Sequence, residues 1–141
     1  MKKFENMNTK TIGEISEMMV VARLAQKGFI ISRPVGDNQR YDAIIDDGEN
    51  LLKVQIKTGR IMKNGSVIFN TCSSYVHRGG KKKSYRGQID FFGVYCPDND
   101  KVYLIPINDV AKRKGVLRID EPKNNQVKNV RWAKTYEIIP V

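Results

Sequence analysis

Apolar and polar residues alternate with two different periods along the chain, and the first of these is helical. Between residues 9 and 27 apolar side chains recur every three to four positions, at Ile15, Met18, Met19, Ala22 and Ala25. That spacing is typical of one face of an amphipathic helix. Thr11 and Glu14 have the spacing of a capping box, and Gly28 is a common C-terminal stop. The pattern predicts a helix over 9–27.

The rest of the chain has the shorter period of β-strands. Runs rich in β-branched and aromatic residues predict strands over 29–32, 41–46, 51–57, 67–72, 89–96 and 101–106. Short polar turns at 47–50 and 97–100 join two pairs of these runs into hairpins. Asn108 is placed to cap a short helix over 109–114. This order of elements predicts an α+β fold with a mixed or antiparallel sheet.

The first predicted hairpin brings polar groups together. Because side chains alternate along a strand, Lys53, Gln55 and Lys57 share one face of its second strand. With an even number of residues in the turn, Asp42 lies opposite Gln55 and on the same face as Lys57. A slip of one residue would send Asp42 to the other face. Polar groups are costly to cluster on a sheet that a helix covers, so the arrangement indicates a function.

Metal-assisted phosphodiester hydrolysis is one such function, because Mg²⁺ prefers oxygen ligands and activates water. Asp42 offers a carboxylate, Gln55 an amide oxygen and Ile56 its backbone carbonyl. Lys57 can position or help deprotonate the attacking water and offset charge in the transition state. Glu14, at the edge of the apolar stripe of the helix, can supply a second anionic ligand. The predicted catalytic residues are Glu14, Asp42, Gln55 and Lys57, and the predicted metal ligands are Glu14, Asp42, Gln55 and Ile56.

Each of these residues also has a plainer interpretation when it is taken alone. Asp42 can simply end a strand at an exposed margin. Lys53 and Lys57 can be solvated lysines of an edge strand, where lysine protects against aggregation. Glu14 can be no more than the capping-box partner of Thr11. Only their combination points to a catalytic site.

Positive charge is concentrated in two stretches of the chain, whose formal net charge is +10. Residues 1–49 are nearly neutral, with seven Lys/Arg and eight Asp/Glu. Residues 50–89 carry nine Lys/Arg and no acid, and residues 111–134 carry eight Lys/Arg against two acids. Such clustering is expected of a nucleic-acid-binding surface. A basic surface that serves solubility alone is the alternative.

A basic loop predicted over 73–88 is the main candidate for DNA contact. Its lysines and arginines can neutralise phosphates, and its tyrosines can stack or hydrogen-bond nearby. Two arginines that flank Asp42 can hold phosphates as well. The predicted DNA-binding residues are Arg33, Arg40, His77, Arg78, Lys81, Lys82, Lys83, Tyr85 and Arg86. A solvated loop without a partner is the alternative. His77, the only histidine, is expected to have no catalytic role.

Other classes of protein are disfavoured. No apolar run approaches the ~20 residues that cross a bilayer, and the N-terminus lacks the apolar stretch of a signal peptide. We therefore expect no membrane partner and a cytoplasmic location. Cys72 and Cys96 show no metal-ligand spacing, which indicates free thiols. The 141 residues fit a single domain, 1–141.

Several strings of the sequence carry a family resemblance. Asp42, twelve intervening residues and Gln55-Ile56-Lys57, preceded by a helix bearing Glu14, resemble the active-site layout of PD-(D/E)XK nucleases. The likeness is greatest to the group I intron-associated, or homing, endonuclease branch. The supporting strings lie at 36–42, 52–59, 71–74 and 89–97. The resemblance covers about residues 9–110 as a core and leaves a basic C-terminal extension, 111–141, unmatched.

The resemblance implies a restriction-endonuclease-like αβββαβ core with a mixed central sheet flanked by helices. It further implies Mg²⁺-dependent cleavage of double-stranded DNA, with Mn²⁺ as a possible substitute, by a homo-oligomer such as a dimer or tetramer. The chain departs from the superfamily pattern at two positions. Tyr41 replaces the proline before the aspartate, and Gln55 replaces the usual acid, which removes one charge from the metal site.

Three alternatives stay open at this point. A Holliday-junction resolvase shares the same core and would prefer four-way junctions to linear duplex. A catalytically inactive nucleic-acid-binding protein on this fold would bind DNA with steep salt dependence and cut nothing. A basic globular protein with an unrelated partner would bind no nucleic acid.

Overall fold

The computed structural model describes residues 4–36, 38–74, 82–121 and 130–140. Within these residues the chain forms one long helix, ten strands and a short C-terminal helix. In chain order these are α1 (Thr9–Gln26), β1 (Ile30–Ser32), β2 (Ala43–Asp46), β3 (Leu51–Thr58), β4 (Arg60–Ile61), β5 (Ser66–Asn70), β6 (Cys72–Ser74), β7 (Lys82–Ser84), β8 (Phe91–Cys96), β9 (Lys101–Pro106), β10 (Lys114–Arg118) and α2 (Ala133–Tyr136).

The predicted first helix is confirmed, but its cap and its buried face differ from the prediction. The side chain of Asn8 caps α1 by accepting the N–H of Thr11 at 2.8 Å, so the expected capping box is wrong. The buried positions recur every four residues, at Ile12, Ser16, Val20 and Leu24. Met18, placed in the predicted apolar stripe, is 59% exposed. The polar Ser16 obscured this stripe, although its hydroxyl is satisfied by Thr58 Oγ1 at 2.6 Å.

Five strands form the central sheet, in the order β1-β2-β3-β8-β9. The β3–β8 pair is parallel and the other pairs are antiparallel, so the sheet is mixed. Both predicted hairpins, β2–β3 and β8–β9, are present. In the first, Ala43 pairs with Val54 and Asp46 with Leu51, which is the predicted register. The predicted α+β class with a mixed central sheet is confirmed.

Helix α1 covers one face of the central sheet. Its side chains Val20 and Leu24 pack with Ile45, Val54 and other apolar residues of the sheet. The approach is closest at Gly93 of β8, where an added Cβ would lie 2.7 Å from Val20 Cγ1. This contact fixes how the helix lies across the middle strands.

A second sheet, in the order β10-β5-β4, covers the opposite face. Its inner side chains, such as Phe69 and Leu117, form a core with Phe92 and Val94 of the central sheet. The described part of the chain between β3 and β8 therefore consists of short strands, where the αβββαβ order has a helix. The chain passes between the sheets at Gly59, where an added Cβ would lie 2.8 Å from Val67 Cγ1.

Two sequence predictions in the second half of the chain are wrong. The helix expected over 109–114 is a single 3-10 turn, Ile107–Asp109, followed by strand β10. The loop expected over 73–88 contains β7, which pairs with β6. In both regions the polar sequence did not predict the strand, because the strand is stabilised by pairing with a neighbouring strand.

Candidate active site

Asp42 lies where β2 begins and is joined to β3 by two hydrogen bonds. Its backbone N–H donates to the carbonyl of Val54 at 2.8 Å. Its Oδ2 accepts the backbone N–H of Ile56 at 2.8 Å. The printed β2–β3 pairing begins at Ala43–Val54, and because Asp42 and Ala43 both lie against Val54, Asp42 sits at a bulge beside Gln55 and Ile56 of β3. The carboxylate thus occupies the sheet edge just beyond the end of β2.

Lys57 follows two residues further along β3 and is held by a buried tyrosine. Its Nζ donates to Tyr85 Oη at 3.2 Å and lies 4.8 Å from the centroid of the Tyr85 ring. Tyr85 is 4% exposed and packs edge-on against Phe92 at a centroid distance of 5.7 Å. The ammonium group therefore has a fixed position near the sheet edge that Asp42 occupies.

Burial raises the pKa of Asp42, and this effect outweighs the hydrogen bond from the Ile56 N–H, which lowers it. The negative charge of Glu17 raises the same pKa further, while the positive charges of Lys57 and Arg33 lower it. These three charges are therefore close enough to act on Asp42. A partly buried carboxylate with a second carboxylate and a lysine in its surroundings favours a bound cation.

Glu17 is the carboxylate of α1 that acts on Asp42, and sequence analysis missed it in favour of Glu14. Glu14 is exposed and is not among the charges that shift the Asp42 pKa. At about 100° per residue, Glu17 flanks the buried Ser16, whereas Glu14 lies about 160° away from it. Glu17 is therefore the better supported helix carboxylate, and the assignment of Glu14 stays a prediction. The four-residue stripe through Ser16 is the signal that would have indicated Glu17.

Glu17 is held by an arginine. Its Oε2 accepts a hydrogen bond from Arg33 Nη2 at 2.8 Å, in an ion pair whose side chains are 46% (Arg33) and 36% (Glu17) exposed. Such exposed pairs contribute little to stability. Arg33 is thus near Asp42, and its described contact is with the carboxylate of Glu17 on α1.

The oxygen donors at this edge fit a hard divalent cation. In the described residues, no hydrogen bond involves Asp42 Oδ1. The backbone N–H and C=O of a strand residue point towards the same neighbouring strand. The Ile56 carbonyl therefore points towards the Asp42 side of β3, as the Ile56 N–H does. Gln55 offers an amide oxygen and Glu17 a second carboxylate. One or two carboxylates with neutral oxygens suit Mg²⁺, which keeps several waters.

The metal site inferred here is not of the zinc type. Among residues 4–36, 38–74, 82–121 and 130–140, no group of three or more His, Cys, Asp or Glu side chains is arranged to hold a metal. Cys72 and Cys96 are buried free thiols, and burial raises the pKa of Cys96. Within the described residues, these thiols are therefore not part of a clustered ligand group of the kind that zinc prefers.

Three of the predicted DNA-binding residues have internal contacts instead. The Arg40 guanidinium stacks on the Tyr85 ring at 3.8 Å and donates to the Ser84 carbonyl at 3.0 Å. Arg86 donates to the Val110 carbonyl at 2.8 Å. Since Tyr85 is buried, the prediction that it contacts DNA is not supported. These residues hold the segment that carries Tyr85 against Lys57.

The structure describes no side-chain position for the other five predicted DNA-binding residues. His77, Arg78 and Lys81 lie outside the described residues. The backbone of Lys82 and Lys83 belongs to β7, opposite Ser74 and Ser73 of β6. The contribution of these residues to DNA binding stays a prediction.

The family model of the PD-(D/E)XK endonucleases matches residues 7–139, and the chain belongs to this family. The chain is therefore related to nucleases, as its sequence predicts. The match includes the residues after 110, which the sequence resemblance left unmatched, and β10 is one of the strands found there.

A solved structure of a bacterial homing endonuclease, I-Ssp6803I, has a similar fold. The TM-score is 0.75 and the sequence identity 23%, over 93% of this chain and 89% of that one. At this identity the likeness shows the fold. No curated protein matches the sequence. In the described part of the chain, no helix has both the length and the apolar character that a bilayer crossing requires.

Proposed function

We propose that this protein is a Mg²⁺-dependent endonuclease that hydrolyses phosphodiester bonds in double-stranded DNA. The observation that carries the proposal is the meeting of Asp42, Glu17 and Lys57 at one sheet edge, where burial raises the pKa of Asp42. A polar cluster of this kind is costly unless a ligand uses it. Family membership supports the nuclease chemistry, and the oxygen donors support a hard metal ion.

The residues of the site divide into metal ligands and a lysine. Asp42, Glu17, Gln55 and the Ile56 carbonyl would hold the cation, and Mn²⁺ can take the place of Mg²⁺. When bound, the ion supplies Lewis-acid activation of the phosphate and of a water. Lys57 orients the attacking water and offsets negative charge as the phosphate is attacked.

Arg33 has a second role in the proposal. Its ion pair with Glu17 holds that carboxylate beside Asp42 in the metal-free chain. With Glu17 serving as a metal ligand, Arg33 would be free to contact a DNA phosphate, for which its planar guanidinium is suited. The predicted DNA-binding role of Arg33 is thereby retained as part of this proposal.

The same site bears on the substrate and on the oligomeric state that we propose. Each active site hydrolyses one strand at a time, so double-strand cleavage favours a homo-oligomer, a dimer or tetramer, with an even number of sites. The net charge of +10 suits duplex DNA as the partner. The fold shared with I-Ssp6803I, a homing endonuclease, supports the proposal of a homing-type nuclease.

The test uses a plasmid library with randomised inserts, incubated with Mg²⁺ or Mn²⁺ and, in parallel, with EDTA. The wild-type chain is expected to nick or linearise plasmids only with metal. Lys57→Ala should lower the cleavage rate at least about a hundredfold while DNA binding persists, as loss of an electrostatic stabiliser does.

Lys53→Ala is the matched control, because Lys53 lies on the same face of β3 and is exposed. This variant should cut at the wild-type rate. Equal rates for Lys57→Ala and wild type, or full cleavage in EDTA, would contradict the proposed function.

A further inference from the structure

The second sheet has an outer face that is exposed at Asn70, Lys114 and Val116, whereas its other end, at Ser66, is buried. Residues alternate along β5 and β10, so that Val67, Phe69 and Leu117 point into the core. The residues between them point outward and pair across the strands, Ile68 with Val116 and Asn70 with Lys114. The outer face consists of Arg60, Ile68, Asn70, Lys114, Val116 and Arg118.

This outer face is basic. Strands β4, β5 and β10 contain no acidic residue, and Lys112 and Arg113 immediately precede β10. Arg60, Lys112, Arg113 and Lys114 are exposed and form no ion pair with any residue that the structure describes. Exposed cations that are not neutralised by neighbours favour a polyanion as the partner.

A cleft joins the outer face to the candidate active site. It has a volume of about 270 Å³ and is lined by Thr9, Ile12, Lys57, Thr58, Arg60 and Asn70. Lys57 belongs to the catalytic cluster, whereas Arg60 and Asn70 belong to the outer face. A duplex whose cleaved phosphate lies at Lys57 would therefore have its adjoining part against this sheet.

The dimensions of the outer face fit a DNA groove. At the Asn70–Lys114 pair the described sheet is two strands wide, β5 and β10, which are about 5 Å apart. The β6–β7 pair follows directly after Asn70 and continues the ribbon. The major groove, about 12 Å wide, admits a two-stranded ribbon with its side chains. Towards Arg118 the sheet widens, because β4 joins β5 and Trp132 bridges to β10. The Asn70–Lys114 end is therefore the narrower part and fits the groove better.

We propose that the outer face of the second sheet lies in the major groove beside the cleaved phosphate and reads its bases. Asn70 can bond the edge of an adenine, Ile68 and Val116 can contact thymine methyl groups, and Arg60 and Lys114 neutralise phosphates. This inference rests on the proposed function, whose substrate it makes specific.

The first test measures binding of mixed-sequence duplex DNA in EDTA as a function of salt. Arg60→Gln and Lys114→Gln should each reduce the slope of log affinity against log salt by about one. Lys27→Gln is the control, because Lys27 is exposed at the far end of α1 and should leave the slope unchanged. Equal slopes for all the variants and the wild type would overturn the proposal.

The second test concerns base recognition. Wild-type chain and Asn70→Ala are used to select duplexes from a randomised pool, by cleavage or by binding. The variant should lose about tenfold or more of its preference at one or two base positions, as expected for one bidentate contact. Unchanged base preferences would overturn the assignment of this face to base reading.

The design separates this inference from the proposed function. If the wild type cuts nothing but the slopes change, the nuclease proposal fails and the DNA surface is retained. If the wild type cuts and the slopes do not change, only the surface is wrong. If Val116→Asp leaves DNA binding intact but converts an oligomer to a monomer, the face joins two copies of the chain and the proposal is overturned.

Discussion

The backbone N–H of Ile56 donates a hydrogen bond to the Asp42 carboxylate at 2.8 Å, so a side chain completes the edge of β3 where strand β2 has not yet begun. The bond fixes one carboxylate oxygen and leaves the other directed away from the strand. It also explains why a partly buried acid is tolerated, since hydrogen bonding to the charged form offsets part of the cost of burial.

We predict that Asp42→Asn stabilises the metal-free protein near neutral pH and abolishes cleavage. The pKa of Asp42 is raised from 3.8 on folding, so the folded chain binds more protons than the unfolded chain. The stabilising contribution of this carboxyl is therefore lost as the pH rises from 3.8 through the raised pKa of the folded chain. It does not return at higher pH. Asparagine keeps an acceptor for the Ile56 N–H without the buried charge. In EDTA its melting temperature should exceed that of the wild type by a few degrees.

The control compares both proteins in acid and adds Asp42→Ala. Below pH 3.8 the advantage of the asparagine variant should disappear, because the wild-type carboxyl is then protonated in both states. Alanine leaves the Ile56 N–H without its partner and should be less stable than asparagine by about 1 kcal/mol or more. An asparagine variant that melts below the wild type at neutral pH would count against this electrostatic description.

We predict that Glu17 and Glu14 differ sharply in function, although they lie three residues apart on one helix. Glu17→Gln removes the second carboxylate beside Asp42 and should lower the metal-dependent cleavage rate about a hundredfold, which corresponds to about 3 kcal/mol. Glu14→Gln, which makes the same change on the exposed side, should cut normally. Single-turnover cleavage rates of the two variants test this difference. A larger loss of rate in Glu14→Gln than in Glu17→Gln would support Glu14 as the metal ligand.

We predict that Gln55→Glu strengthens metal binding and destabilises the metal-free chain. A third carboxylate at position 55, next to the Ile56 N–H that Asp42 bonds, adds attraction to the cation and, without the cation, repulsion between like charges. Titration calorimetry should show Mg²⁺ affinity raised by about tenfold, since about 4 kcal/mol is available to a close pair at a protein surface before desolvation is subtracted. Gln26→Glu adds the same charge at the exposed end of α1 and should alter neither quantity. Unchanged affinity in the first variant would remove Gln55 from the ligand set.

We predict that Gly93→Ala loosens α1 and lowers activity indirectly. The new methyl would lie 2.7 Å from Val20 Cγ1 and 3.2 Å from Val54 Cγ1, and valine side chains have little freedom to move aside. Denaturant unfolding should show a loss of about 1–3 kcal/mol. Gly13→Ala, in a helical position with open space around it, should instead stabilise by up to about 1 kcal/mol. Equal stabilities of the two variants would mean that the helix does not pack here as described.

The central hairpin and the position of Asp42 could be predicted from sequence, because both depend on local rules. Side chains alternate along β3, and an Asp/Gly turn of four residues sets the register of β2 against it. The even turn sets the pairs from Asp46–Leu51 to Ala43–Val54, which bring Asp42 beside the second half of β3. The charge concentrated in 50–89 and 111–134 likewise indicated a nucleic-acid partner.

The rest depends on tertiary contacts that no local pattern contains. Glu17 was missed because the buried stripe of α1 passes through Ser16, whose burial depends on a hydroxyl partner in β3. Strand β10 was not predicted, because its pairing partner, β5, lies more than forty residues away along the chain. The anchoring of Lys57 by Tyr85 similarly joins distant segments.

The central claim is that Asp42 and Glu17 share a divalent cation with the Gln55 amide, and a crystal structure with Mn²⁺ tests it most directly. The anomalous signal of the ion should lie at the sheet edge beyond β2, with oxygens of Asp42 and Gln55 at about 2.1 Å and Glu17 bound directly or through water. An ion bound elsewhere, or held by Glu14 while Glu17 keeps its ion pair with Arg33, would contradict the account.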